Sequence, residues 1–244
     1  MSGEHILSKA ILELINSTHD IGISGVAWIS EGLEARLAPS ALQSNVLCVK
    51  HNKDLSTFDA EALSFFRFLK NTYDDSPDEW QGPNQIVIDG HKLQNWSLKI
   101  MCGLLASHQF ADRQNKGIGA QIAEDWLERL FRSVPWPQTA GLCIDEKLIS
   151  AYDPHDWFQG TLMRSESNQP LGFTFQLCGL PMILCTSDVS NLISGGAISA
   201  GAILFPNGIE WLKDGRARRV KFHWAPEPNH KWGLKISIDE QGNM

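Results

Sequence analysis

The chain has 244 residues, of which 43% are hydrophobic and 20% charged, and its formal net charge is -7 at pH 7. This balance supplies enough apolar surface for a buried core and excludes a disordered chain. The negative charge removes any general attraction to phosphate backbones, so a nucleic-acid partner requires a local basic patch or a metal ion.

In chain order, residues 6–16 (ILSKAILELIN) place apolar side chains at 6, 7, 11, 14 and 15, which predicts a helix. Residues 21–37 read as extended segments with Gly22, Gly25 and Gly32 as turn signals. APSALQSNVLCVKHN (38–52) reads as a loop or short strand. A helix is expected from Asp59 to Lys70, with Ser56 or Thr57 as N-cap and Ala62, Leu63, Phe65, Phe66 and Leu69 on its apolar face. The polar stretch 71–84, with two prolines and a glycine, reads as a linker. Then come a short strand at 85–90, a helix at 91–107, a loop at 111–119 and a third amphipathic helix at 120–132.

Beyond about 139, short apolar stretches alternate with Gly, Pro and Asn: 141–144, 158–163, 171–177, 180–186, 197–205, 208–212, 217–224 and 233–238. That spacing predicts an antiparallel sheet or sandwich. The expected class is α+β: a mixed N-terminal part (1–72), a helical middle (73–138) and an antiparallel β-rich C-terminal part (139–244).

Five cysteines, at 48, 102, 143, 178 and 185, form no C-x-x-C pair. Four of them sit in apolar runs, where buried free thiols are expected, and the reading is a reducing, cytoplasmic compartment. No basic-then-apolar leader opens the sequence. The longest apolar region, 171–185, is too short to span a bilayer and contains Pro181, so no membrane partner is expected.

Two stretches hold the chemistry. SGEHILSK (2–9) sets Glu4 beside His5, and NVLCVKHNKDLS (45–56) gathers Asn45, Cys48, His51 and Asn52. Hydrolysis of a phosphodiester needs an activated water and stabilisation of the charge building on phosphate and leaving oxygen. One histidine and one divalent metal supply both, provided oxygen or imidazole ligands hold the metal and a partner fixes the histidine tautomer. Taken alone, a Glu-His dipeptide is an ordinary surface pair and Cys48 a small hydrophobe; the two stretches gain meaning jointly.

SGEHILSKAILELI followed by NVLCVKHNKDLSTFDAEALSFF resembles the HNH, or ββα-metal, nuclease superfamily, and more narrowly a bacterial subgroup of it. The pattern of that subgroup is a Cys pair, S-x-E-H, then L-C-x-x-H-N-x-x-L-S-x-x-D running into a helix. The resemblance is best over 2–70 and extends through IDGHKLQNWSLKIMCGLLAS (88–107). It implies an HNH-like region over 1–72, with His5 as general base, Glu4 as metal ligand and Asn45 as the residue that orients the histidine. Asn52, or in second place His51, would be the other metal ligand. Cys48 and His51 would occupy the second half of a structural zinc knuckle. The implied ion is Mg²⁺ or Mn²⁺, with Zn²⁺ for the knuckle. The family's Cys pair precedes the Glu-His dipeptide, whereas only Met1, Ser2 and Gly3 do so here. Either the start of the domain lies outside this sequence or the motif has degenerated. Two functions stay open: a metal-dependent endonuclease, and a catalytically degenerate HNH-like module that binds a protein or nucleic acid. Oligomeric state is open.

Three further features have weaker claims. Asp153, His155 and Asp156 cluster in YDPHDWF, where a solvated turn is the plainer reading. In GRARRVKFHW (215–224), strand alternation puts Arg219, Lys221 and His223 on one face, a candidate phosphate contact, and Arg216 and Arg218 on the other; a solvated edge strand is the alternative. Trp80, Trp136, Trp157 and Trp232 adjoin turn residues and suggest a binding surface, whereas Trp96 and Trp126 are expected in the core.

Overall fold

The structure, a computed structural model, describes residues 4–14, 21–23, 35–37, 43–44, 47–74, 84–107, 122–149, 158–165, 167, 169–177, 180–213, 215–226 and 233–238. Its elements run β1 (Glu4–His5), α1 (Lys9–Leu14), β2 (Ile21–Ile23), β3 (Ala35–Leu37), β4 (Gln43–Ser44), α2 (Val49–Asp74), β5 (Gln85–Asp89), α3 (Gly90–Ala106) and α4 (Glu124–Arg132). They continue β6 (Gly141–Ile144), α5 (Glu146–Ile149), β7 (Phe158–Arg164), β8 (Pro170–Leu177), β9 (Leu180–Cys185), α6 (Val189–Ser194), β10 (Ile203–Leu204), β11 (Gly208–Lys213), β12 (Arg216–His223) and β13 (Leu234–Ile238). The class is α+β.

Two larger sheets organise the chain. One is antiparallel, in the order β10-β6-β9-β8-β7. The other has the order β13-β11-β12-β5 and is mixed. In it β11 and β12 form an antiparallel hairpin, while β13 runs parallel to β11 and β5 parallel to β12. This corrects the expectation of a purely antiparallel C-terminal part. The outer side of β12 is taken by β5, so the chain leaving β12 returns to the free side of β11 and lies parallel to it.

Helix α3 touches both sheets, which explains its composition. It is buried on almost every side, so its sequence is apolar around most of the cylinder rather than along one stripe. Trp96 meets Phe66 of α2 and Phe175 of β8, with ring centroids 5.1 and 5.7 Å apart. Asp89 ends β5 and caps α3: its Oδ1 accepts the Lys92 N–H at 3.1 Å, satisfying a backbone donor of the first turn. Gly90 allows Trp224 to pack here, since a Cβ at 90 would stand 2.6 Å from the indole. One apolar cluster runs from Ile6 and Leu7 through α2 and α3 to Trp211, Val220 and Ile236, so the N-terminal, middle and C-terminal regions share a core.

Gln94 fastens α3 to the antiparallel sheet. It is fully buried, and its Oε1 accepts the Leu142 N–H at 2.9 Å. The neighbouring Gly141 has φ 151°, and a Cβ there would lie 2.6 Å from both Gln94 Oε1 and the Phe205 ring. Gly141→Ala is therefore expected to cost about 1–3 kcal/mol by overpacking and a weakened buried hydrogen bond. A lowered urea midpoint at unchanged m-value checks this; an unchanged midpoint would refute it.

Several boundaries depart from expectation. Helix α2 begins at Val49, ten residues before Asp59, and ends at Asp74. Ser56 is therefore no cap: its hydroxyl donates back to the Lys53 carbonyl at 2.7 Å inside the helix. The first two turns point mostly to solvent, with Leu55 as their buried residue, so they lack the apolar stripe that marks a helix in sequence. Helix α4 starts at Glu124 rather than 120, and the described part of the first helix spans 9–14. The expected strand 197–205 shrinks to β10, because Asp145 captures the preceding loop: its carboxylate accepts from Ser199 N at 2.8 Å and from Ser199 Oγ at 2.6 Å. Burial works to raise the Asp145 pKa, but the Ser199 and Lys147 hydrogen bonds outweigh it and the net shift is downward. The short helices α5 and α6 add to the expected elements.

Candidate functional site

The Glu4–His5 strand is anchored by its two C-terminal neighbours. Ile6 and Leu7 are buried, and each such side chain contributes roughly 1.5–3 kcal/mol. Ile6 packs on α3, where a Cβ at Gly103 would lie 3.2 Å from its Cγ2. So anchored, β1 pairs antiparallel with β4: Glu4 stands opposite Ser44 and His5 opposite Gln43. The backbone carrying the Glu-His dipeptide thus lies beside the residues that lead into Asn45. Asn45 and the side chains of Glu4 and His5 lie outside the described residues. So do His19, Asp153, His155, Asp156, Trp80, Trp157 and Trp232.

The other half of the site is the N-terminal turn of α2. The Cys48 carbonyl accepts the Asn52 N–H at 3.0 Å, closing the first helical turn. Residues three apart share a helix face, and Cys48 Sγ lies 3.5 Å from His51 Nδ1. Both side chains are exposed, and Asn52 is half-buried. The His51 ring leans on Phe131 at the end of α4, with centroids 4.8 Å apart. Open backbone donors and the helix dipole make this turn favourable for negative ligand atoms. A tetrahedral zinc with Zn–S near 2.3 Å and Zn–N near 2.0–2.1 Å separates sulfur and nitrogen by about 3.5 Å, so the pair fits two ligands of one ion. Among the described residues, no group of three or more His, Cys, Asp or Glu is placed to hold a metal.

The other described cysteines are set apart from this chemistry. Cys102, Cys143 and Cys185 are buried free thiols, as the apolar context predicted, and Cys48 is the exposed one. Burial, reinforced by Asp125, pushes the Cys102 pKa up to about 12. A hydrogen bond with Cys185 and burial hold Cys143 well above the usual range. Neither supplies a thiolate near neutral pH.

Behind the α2 turn lies a cavity of about 120 Å³, lined by Ile6, Leu47, Leu55, Lys99 and Phe131 among others. The Lys99 ammonium donates to Asp59 Oδ2 at 2.6 Å, and the two side chains are 5% and 16% exposed. Burial raises the Asp59 pKa, and the Lys99 ammonium, through its charge and its hydrogen bond, pulls it partly back. Among the described residues, neither Trp96 Nε1 nor Asp59 Oδ1 has a hydrogen-bond partner. Asp59 is the acid of the L-S-x-x-D pattern. Its pairing with Lys99 leaves one mark in the sequence, a lone lysine amid LQNWSLKIMCGLL.

Arg219, Lys221 and His223 are exposed on one face of β12, as alternation predicted, and Arg218 is buried with its guanidinium 5.8 Å from the Phe68 ring centroid. The edge-strand alternative fails, because β12 lies between β11 and β5. Glu210 pairs with Arg219 and, at 3.7 Å, with Lys235, which leaves Lys221 as the more available cation of the proposed pair. Trp136 is not a free surface ring: its Nε1 donates to Asn95 Oδ1 at 2.9 Å and Arg129 stacks on it at 5.1 Å. Trp96 and Trp126 are buried, as expected.

No described helix is long and apolar enough to cross a membrane. Compared with protein families, curated proteins and solved structures, the chain matches none.

Proposed function

We propose that the chain is a metal-dependent endonuclease of the HNH-like, ββα-metal type, hydrolysing phosphodiester bonds in nucleic acid. The observation that carries this reading is the antiparallel register of Glu4–His5 against Gln43–Ser44, with α2 beginning five residues after Ser44. Two short strands followed by a helix bring the backbone of the first chemistry-bearing stretch beside the residues that lead into the second.

In this reading His5 accepts a proton from the attacking water, and Asn45 holds the imidazole in the required orientation. Glu4 and Asn52 offer oxygen donors suited to Mg²⁺ or Mn²⁺, and Asn52 sits half-buried on the turn where such a donor is needed. His51 is the substitute for Asn52. A divalent ion held there would supply charge neutralisation for the phosphate and leaving oxygen. Lys221, with Arg219, contributes to holding the phosphate backbone on the open face of the sheet, offsetting the net negative charge of the chain locally.

The test is incubation of the full chain with supercoiled plasmid, single-stranded DNA and RNA, with Mg²⁺, Mn²⁺ or chelator. Nicking or cutting that requires the ion is expected. Inertness towards all three substrates with every ion, together with retained binding of a nucleic acid or protein, would replace this reading by the non-catalytic module.

A further inference from the structure

We propose that the cavity behind the α2 turn binds a small, uncharged, ring-sized molecule that is apolar except for one hydroxyl or carbonyl oxygen, and that this oxygen accepts a hydrogen bond from Lys99. The inference does not depend on the nuclease reading, since it uses none of the residues given a role there.

Size and lining supply the first argument. The cavity measures about 120 Å³, and Ile6, Leu55, Leu130 and Phe131 form most of its apolar wall. Apolar cavities of about 150 Å³ hold a benzene-sized guest, whereas a water molecule needs two to four polar partners to stay. The rim is apolar too: Leu127 and Phe131 line the cavity and are 40% and 37% exposed, so a ligand has a way in from solvent.

Lys99 supplies the second argument. It is the charged side chain in this wall among the described residues, and it is 5% exposed. Its ammonium carries three N–H donors, and among the described residues it meets one acceptor, Asp59 Oδ2 at 2.6 Å. Buried donors without partners are costly, so a ligand oxygen set against the ammonium recovers part of that cost. The same pair decides the charge of the ligand. Asp59 already balances Lys99, so an anion would bring uncompensated negative charge beside a buried carboxylate, and a cation would face the ammonium. A neutral oxygen acceptor meets the donor without either penalty.

The experiment titrates the full chain at pH 7 by calorimetry with four probes: phenol, toluene, benzamide and benzoate. One molecule per chain is expected. Phenol should bind about tenfold more tightly than toluene, which matches it in size but lacks the oxygen, because a hydrogen bond to a charged donor is gained. Benzamide should bind more tightly than benzoate, its anionic counterpart. With phenol present, hydrogen exchange should slow around Ile6 and in the first turns of α2, whose side chains form the wall, and stay unchanged at β7. Cys102 also stands in the wall. Cys102→Leu fills the void with apolar atoms, so it should weaken phenol binding about tenfold or more without lowering the urea midpoint. Lys99→Met alone strands Asp59, so the paired change Asp59→Leu with Lys99→Met is the second variant; it should keep toluene binding and lose the preference for phenol. Failure of the wild type to bind either phenol or toluene would overturn the proposal, and this comparison needs no variant. Equal affinity for phenol and toluene, benzoate tighter than benzamide, or phenol binding untouched by both variants would also overturn it.

Discussion

Replacing His5 by alanine is expected to lower the rate of the proposed metal-dependent cleavage by about 10²–10⁴-fold, the usual cost of losing a general base. The variant should keep its metal requirement, because the loss falls on the proton acceptor rather than on the ligands. Asn52→Ala should act differently: the rate returns at higher ion concentration, since one oxygen donor is gone. Asn45→Ala should lower the rate with little change in ion affinity, because in the proposed mechanism it orients the imidazole. These contrasts separate a chemical role from misfolding, which would depress all the parameters together. Single-turnover cleavage across a range of Mn²⁺ concentrations reads them. If His5→Ala cuts as fast as wild type, the chemistry lies elsewhere, and Asp153, His155 and Asp156 become the residues to replace.

Lys99→Met is expected to destabilise the fold by about 3–5 kcal/mol, the cost of leaving a buried carboxylate without its partner. Asp59 has little access to solvent, and its Oδ1 already lacks a hydrogen bond. Removing both charges should be far milder: Asp59→Leu combined with Lys99→Met should recover most of the loss, because the cavity and the surrounding side chains are apolar. The pH dependence has a definite sign. The folded Asp59 pKa is raised by burial, so the folded state holds this proton more tightly than the unfolded chain does. The group's stabilisation is therefore fully present below the unfolded carboxyl value and is lost as pH rises through the folded value. Without Lys99 the folded value should rise further. The penalty of Lys99→Met should shrink as the solution is acidified through it. Urea denaturation of the wild type and the two variants at two pH values checks both points; a penalty equal at acid and neutral pH would show that lost packing, not stranded charge, is responsible.

Most strands could be read from sequence because half-buried strands alternate visibly. Residues 217–223 show this directly, with Arg218, Val220 and Phe222 inward and Arg219, Lys221 and His223 outward. Helix α3 was legible from its apolar density, whereas its Asp89 cap was not read. Partnership could not be read. Nothing local to 85–89 announces that it will pair with 219–223, and nothing local to 234–238 announces a parallel neighbour. Likewise the first turns of α2 escaped because solvent covers most of them. At the candidate site, the proximity of Cys48 and His51 followed from their spacing once the helix start was known. The contact of His51 with Phe131, 80 positions downstream, did not. Lys99 was visible as an anomaly, but its counter-ion lies on another helix 40 residues away.

The parallel pairing of β5 with β12 sets a timetable for the newborn chain. Between Asp89 and Arg216 lie 126 residues, all of which must be synthesised before β5 meets its neighbour. At a translation speed of about 5–20 residues per second, that wait is on the order of 6–25 seconds. Throughout it, Ile86 and Ile88 lack the sheet that later shields them, and the backbone donors and acceptors of β5 stand open to any passing extended segment. Helix α3 can form within microseconds and then has to linger with half its apolar surface uncovered. A chain built this way depends on company during its own synthesis, so its yield should respond to holding chaperones more strongly than the stability of the finished fold would suggest.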